Sequence, residues 1–236
     1  RYIDHLKNEN YNSKKLDLSS IKIITSTGSP LAEESFKYVY ENIKQDVHLA
    51  SIAGGTDLVG CLVLGNLYSN VYKGEIQGQS LGIDVDVFTN NGKSTKDGDK
   101  GELVVKKPFP SMPVKFWGDN DGQKYHKAYF TRFENIWYHG DFIERTSNNG
   151  FIMRGRSDST LNPGGVRIGT SEIYQQVEDI DFITEGLVVG QDFKDDVRII
   201  LFVTTKNNQE LDDEKVKLIK SRIRINCSPK HVPSLI

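Results

Sequence analysis

The sequence predicts an α/β segment that passes into a small β-rich subdomain and then into a small α+β domain, and three observations predict it. Residues 21–50 run strand, helix, strand, the βαβ order of a parallel sheet covered by helices. From Gly60 the apolar runs shorten and turn signals crowd in, Asn90-Asn91-Gly92 and Asn148-Asn149-Gly150 among them. Beyond a polar break at Arg156-Ser157-Asp158-Ser159, helical periodicity alternates with apolar strand runs. With 236 residues the chain can bury a sizeable core and hold more than one domain. The expected division is 1–75 (βα region), 76–157 (β-rich region, a small barrel or sandwich) and 158–236.

Taken in order, residues 1–20 are polar, with a weakly helical start and an Asn/Lys-rich connection at 8–15. The run 21–25 is strand-like and closes on Gly28-Ser29-Pro30. Residues 33–43 predict a helix with Phe36, Val39, Tyr40 and Ile43 on one face, and 47–50 a second strand. Strands follow at 83–88 and 101–105. Pro108, Pro110 and Pro113 then force an extended passage towards Phe116-Trp117, and a strand is expected at 136–144. Phe151-Ile152-Met153 ends a further strand, and Asn162-Pro163-Gly164-Gly165 cannot be helix or central strand. Thr170 is placed to cap a helix with Ile173, Val177 and Ile180 inward. Strands at 187–190 and 197–204 and a helix at 212–226, with Val216, Ile219 and Ile223 inward, complete the chain.

Bulk properties exclude several classes. A formal net charge of −2 supplies no basic field for nucleic acid or an anionic membrane. No run approaches the ~18 apolar residues of a membrane helix. Cys61 and Cys227 lie far apart in no metal-ligand spacing, which fits a reduced, cytoplasmic setting. The five histidines form no local pair with metal spacing, and Asp119-Asn120-Asp121-Gly122 lacks the ligand spacing of a calcium loop, so it reads as a turn.

Ligands bind at loops leaving the carboxyl ends of parallel strands, here 26–30 and 52–57. In Ile52-Ala53-Gly54-Gly55-Thr56-Asp57 the glycines admit close backbone approach, Thr56 offers a hydroxyl and Asp57 a hard oxygen suited to Mg2+; the alternative is an ordinary turn. In Tyr138-His139-Gly140-Asp141-Phe142, Asp141 either accepts two sugar hydroxyls or caps a local turn. Arg156 and Arg167 flank Gly164-Gly165, a combination suited to a mobile connection that also holds an oxyanion.

The succession of motifs carries more than any one of them. Thr56-Asp57 comes first, then Gly101-Glu102-Leu103-Val104-Val105. Tyr129-Phe130, Phe133, Trp137 and Gly140-Asp141 follow, then Gly155-Arg156-Ser157-Asp158, and last Leu161-Asn162, Gly164-Gly165 and Arg167-Ile168-Gly169-Thr170 with Glu172-Ile173. This order resembles the adenylate-forming acyl-CoA synthetases along almost the whole chain. Residues 107–114 with 51–57 resemble in particular the branch that acts on acetoacetate.

The resemblance implies the end of a large AMP-binding domain over 1–157 and part of a mobile C-terminal domain over 158–236. It implies an ATP- and Mg2+-dependent activation of a carboxylate to an acyl-adenylate, followed by displacement of AMP by the thiol of CoA. On it, Gly28, Ser29 and Pro30 would line the adenine site and Thr56 would contact phosphate. Asp57 would take the Mg2+-associated acid position, held by glutamate in many relatives. Asp141 would hold the ribose, supported by Arg156, and Arg167 would neutralise phosphate during adenylation. Asp158 would be the hinge, and Gly164 and Gly165 would flank the pantetheine path. Gly54 and Gly55 would belong to the acyl pocket: where acetyl-specific relatives carry a tryptophan this chain has Gly54, expected to make room for a longer acid. Ala53 stands where relatives stack an aromatic on adenine, and His139 where threonine is usual. The family's phosphate loop would precede residue 1 and its C-terminal lysine would follow Ile236, so the chain reads as a fragment expected to be inactive by itself. Another short-chain acyl-CoA synthetase and a non-catalytic nucleotide-binding relative are the alternatives.

Overall fold

In the computed structural model, residues 3, 5, 6, 16–163, 166–194 and 196–236 are described. They divide into two compact units, Arg1–Met153 and Arg154–Ile236. The connection expected at 8–15 lies outside the described residues.

The first unit opens with strand β1 (Ile23–Ser26), helix α1 (Glu33–Tyr38) and strand β2 (His48–Ser51), and β1 and β2 pair in parallel. Helix α1 continues into a wider π-helical turn, Val39–Ile43, closed by the Lys44 N–H on the Val39 carbonyl at 2.9 Å. The predicted helical stretch is therefore present with its geometry changed halfway. Phe36 and Val39 are buried with Val47 and Leu49, and Tyr40 and Ile43 pack against them, the face that the 3.6-residue period selects.

The β-rich region holds two sheets. Strands β3 (Ala53–Gly55), β4 (Gly60–Leu64) and β5 (Gly78–Gln79) form one. Strands β6 (Val85–Phe88), β7 (Lys100–Val105), β8 (Trp137–Arg145) and β9, which begins at Phe151 and runs to Arg156, form the other in that order. Side chains from both, including Leu62, Val63, Val87, Leu103, Val105, Trp137 and Ile143, share one apolar core. Burying such a residue fully contributes about 1.5–3 kcal/mol each. The stretch 52–57, expected as a loop, is instead largely β3 and the tip of the β3–β4 hairpin, because two glycines let it pair closely with β4.

Helix α2 (Gln123–Tyr129) falls in a stretch that the sequence reading treated only as a turn at 119–122. The Asp119 carboxylate accepts the N–H groups of Lys124 (3.2 Å) and Tyr125 (2.8 Å), and Asp121 accepts that of Gln123 (3.2 Å). The acidic turn is thus a helix start that satisfies otherwise unpaired donors.

The second unit begins within β9. A short 3-10 turn (Ser157–Ser159) follows, then helix α3 (Thr170–Val177), the antiparallel ribbon of β10 (Ile183–Phe193) and β11 (Asp196–Thr205), and helix α4 (Asp213–Asn226). Ile173, Val177, Ile180, Val188, Ile199, Leu201, Ile219 and Ile223 form its core. Thr170 is not the cap of α3. Gly169 is, and the Glu172 side chain reaches back to accept the Gly169 N–H at 3.0 Å. A side chain at 169 would overlap the Arg154 carbonyl, which explains glycine at that position. Asp212 caps α4 through the Lys215 N–H at 2.8 Å.

The Asp119 cap yields a pH-dependent expectation. The Tyr125 N–H and then the Lys124 N–H hold its carboxyl below the ordinary value of 3.8. A depressed folded-state pKa contributes stability that is present above the unfolded value and lost as pH falls through the folded one. Asp119→Ala should therefore lower the urea midpoint at pH 6, and the gap to the parent should close as pH drops below 3.8. A gap that stays constant to pH 3 would remove the carboxylate from this role.

Candidate functional site

Parallel pairing brings two predicted loops to one edge. Ser26 registers with Ser51, and the Ile52 N–H donates to the Ser26 carbonyl at 2.9 Å, so both chains leave β1 and β2 side by side. Gly28 has φ +88°, a conformation that an L side chain resists, and it turns the chain into Ser29-Pro30. From the neighbouring edge the β3–β4 hairpin presents Thr56 and Asp57, both exposed, at its tip.

The two glycines of that hairpin have separate reasons. A Cβ on Gly54 would overlap the Gly60 carbonyl and come within 2.6 Å of the Cys61 Cα. The direction in which residue 54 would project is filled by the backbone of β4. Gly54 lets the hairpin close. A Cβ on Gly55 would overlap the Asp57 carboxylate and lie 3.1 Å from the His139 Cε1. Gly55 is what allows Asp57 to fold back beside His139.

Asp57 is held by Tyr129, which belongs to the motif succession but has no role assigned by it. The Tyr129 hydroxyl donates to Asp57 Oδ2 at 2.6 Å. Its ring stacks on Trp137, with centroids 3.7 Å apart and planes inclined by 14°. Trp137, 2% exposed, donates its indole N–H to His139 Nδ1 at 3.4 Å, and His139 Nε2 lies 3.6 Å from Asp141 Oδ2. Trp137, His139 and Asp141 alternate along β8 and share one face. That i, i+2, i+4 spacing was the signal available in the sequence. Tyr129 offered none, because its partner is 72 residues away. Around this line Tyr125, Phe116, Phe130 and Phe109 pack edge-on against Tyr129, Trp137 or one another. Burial pushes the Tyr125 hydroxyl upward in pKa and keeps it a donor, to the Pro113 carbonyl. Burial likewise raises the pKa of the Cys61 thiol.

The remaining predicted residues lie in the second unit. Arg156 Nε is 3.5 Å from Asp158 Oδ1, both side chains being largely exposed. Ser159 donates its hydroxyl to the Arg156 carbonyl and Thr160 donates to the Ser157 carbonyl, which closes the turn. Reciprocal N–H bonds of 2.8 Å between Leu161 and Ile168 pin the ends of the following loop. Arg167 Nε donates to Thr160 Oγ1 at 3.2 Å, so the arginine is tethered to the turn that carries Asp158. Gly164 and Gly165 lie outside the described residues.

Chemically, the first unit offers a hydroxyl and a carboxylate at an exposed hairpin tip, with a buried carboxylate connected to them through aromatic groups. Among the described residues no cluster of three or more His, Cys, Asp or Glu could hold a metal. One exposed carboxylate suits Mg2+ carried mainly by substrate phosphates rather than by a protein cage. Among the described residues no helix is long and apolar enough to cross a membrane.

Comparisons with known proteins find relatives along the whole chain. Acetoacetyl-coenzyme A synthetase of Rhizobium meliloti (strain 1021) is 55% identical over 237 residues, covering 100% of this chain and 36% of the relative. The solved acetoacetyl-CoA synthetase of Streptomyces lividans superposes with a TM-score of 0.89 at 37% identity, over 99% of this chain and 36% of that one. An anthranilate CoA ligase solved with anthranoyl-AMP superposes with a TM-score of 0.77 at 16% identity, over 96% and 42% of the two chains, a likeness of fold alone. No family model matches. The chain thus has the fold of adenylate-forming CoA ligases and spans about a third of the length of the curated relative.

The hairpin geometry predicts that Gly54→Ala costs about 1–3 kcal/mol of stability, as overpacking against backbone does. Urea unfolding measures it, and a variant as stable as the parent would show that β3 and β4 can separate at no cost.

Proposed function

We propose that this chain is part of an AMP-forming acid–thiol ligase of the acetoacetyl-CoA synthetase type, acting on acetoacetate, ATP and CoA. The observation that carries the reading is 55% identity along the whole chain to such a synthetase. The geometry supports it: a hydroxyl and a carboxylate at the hairpin tip suit a phosphate and its Mg2+, and buried Asp141 suits the two hydroxyls of a ribose.

In the first half-reaction a carboxylate oxygen of acetoacetate attacks the α-phosphorus of ATP, the bond to the bridging oxygen breaks and pyrophosphate leaves. In the second, the CoA sulfur attacks the acyl carbon, the thiol proton is lost to solvent, and the C–O bond to AMP breaks. Gly28, Ser29 and Pro30 border the adenine, and Thr56 donates to phosphate. Asp57 would take the Mg2+-associated acid position, where the ion would neutralise phosphate charge. Asp141 accepts the ribose hydroxyls, which Arg156 is read as supporting. The fixed guanidinium of Arg167 sits against the charge that develops on the α-phosphate, where removing one such donor costs on the order of 10²–10³ in rate. Asp158 is the hinge, and Gly164 and Gly165 line the pantetheine path. Gly54 and Gly55 border the acyl group, and Gly54 also lets the hairpin close. A reducing cytoplasm fits Cys61 and Cys227, which form no disulfide.

The full-length protein tests the assignment by ATP–pyrophosphate exchange over a panel of acids. Acetoacetate should give the highest kcat/KM, and preference for propionate or butyrate would move the protein to another short-chain synthetase. Arg167→Ala should lower exchange by at least ~10²-fold with little change in melting temperature. A lower melting temperature with exchange retained would make the arginine structural.

A further inference from the structure

We propose that Tyr129 and His139, locked together by the indole of Trp137, are positioning residues that fix the two carboxylates Asp57 and Asp141. The proposal rests on the reading of those carboxylates as the phosphate-side and ribose-side groups.

The hydrogen-bond chemistry has one direction. An indole N–H can only donate, so His139 Nδ1, 3.4 Å away, must accept and carries no proton. The proton of the neutral imidazole is then on Nε2, the atom that faces Asp141 Oδ2 at 3.6 Å. The imidazole side chain is only 3% exposed, so bulk water cannot substitute for these partners. Trp137 therefore selects the tautomer that turns an N–H towards the buried carboxylate, and biases which oxygen of Asp141 accepts from a ligand.

At the other end the phenol of Tyr129 donates to one oxygen of Asp57 at 2.6 Å and limits its rotation. That restraint answers a specific problem. Asp57 is exposed and has a shorter arm than glutamate, so an unrestrained carboxylate would sample orientations that miss the ion. The ring of Tyr129 cannot swing to follow it, because it is stacked on Trp137 at 3.7 Å and bordered by Phe116 and Tyr125. A side chain at 55 would meet the His139 ring, with its Cβ 3.1 Å from Cε1, so glycine there keeps the hairpin clear of the imidazole. One buried tryptophan thereby ties the orientation of two acids that lie 84 residues apart in sequence (141 − 57). Misplacing a reacting group by about 1 Å can cost ~10²-fold in rate, which makes such a bracket consequential.

Two measurements on the full-length protein test it. Nitrogen-15 spectra of histidine-labelled enzyme, with His139 assigned through a His139→Gln variant, report the tautomer without any turnover. Nδ1 should be unprotonated and Nε2 protonated at neutral pH; the opposite tautomer or a doubly protonated ring overturns the proposal. Tyr129→Phe keeps the stack and removes only the hydroxyl. It should lower the kcat of ATP–pyrophosphate exchange by roughly 10- to 100-fold, raise the Mg2+ concentration needed for half-maximal rate, and leave the acetoacetate KM and the melting temperature near those of the parent. An unchanged kcat and Mg2+ dependence overturns it. If the parent enzyme gives no exchange with any acid, the functional reading fails instead, and the tautomer result still decides the bracket.

Discussion

The stacking of Tyr129 on buried Trp137 is the constraint on which the first unit's site depends. Trp137 belongs to the shared core of two sheets, so its ring is fixed by packing before any polar contact is made. A fixed ring fixes what touches it: the phenol that holds Asp57 on one side and the imidazole that faces Asp141 on the other. The Asp119 cap matters for the same reason, since it starts the helix that delivers Tyr129. Packing energy spread over many apolar groups is thus converted into the orientation of two carboxylates.

The second unit solves a different problem. Arg156, Asp158, Thr160 and Arg167 are linked within one turn and one pinned loop, while the charged ends of Arg156 and Asp158 remain largely accessible. A surface ion pair such as Arg156 with Asp158 contributes little to stability. That makes it a suitable place for the proposed hinge at Asp158. The apolar core around Ile173, Val188, Leu201 and Ile219 carries the stability of the unit instead.

Periodic features were legible in the sequence. The face of α1, the inward positions of α3 and α4 and most β-strands follow from spacing, because burial selects every second or every third to fourth residue. Helix α2 escaped because it is one seven-residue segment whose apolar positions, Tyr125 and Tyr129, are separated by Lys and His, and because its capping acid lies several residues ahead. Thr56, Asp57 and Asp141 were legible as chemistry, whereas their supports were not. Tyr129 reaches Asp57 across 72 residues, a contact no local pattern encodes. At Gly54 the local backbone itself favours glycine, since a Cβ there would overlap the Gly60 carbonyl, a contact that no pattern in the sequence announces.

The central claim is that the acid is activated by attack on the α-phosphorus of ATP, and oxygen tracing tests it most directly. With acetoacetate labelled with oxygen-18 in its carboxylate, the full-length protein, ATP and CoA should yield AMP carrying one labelled oxygen, with unlabelled pyrophosphate. Label in orthophosphate, with ADP as the nucleotide product, would mean attack at the γ-phosphorus and would contradict the account.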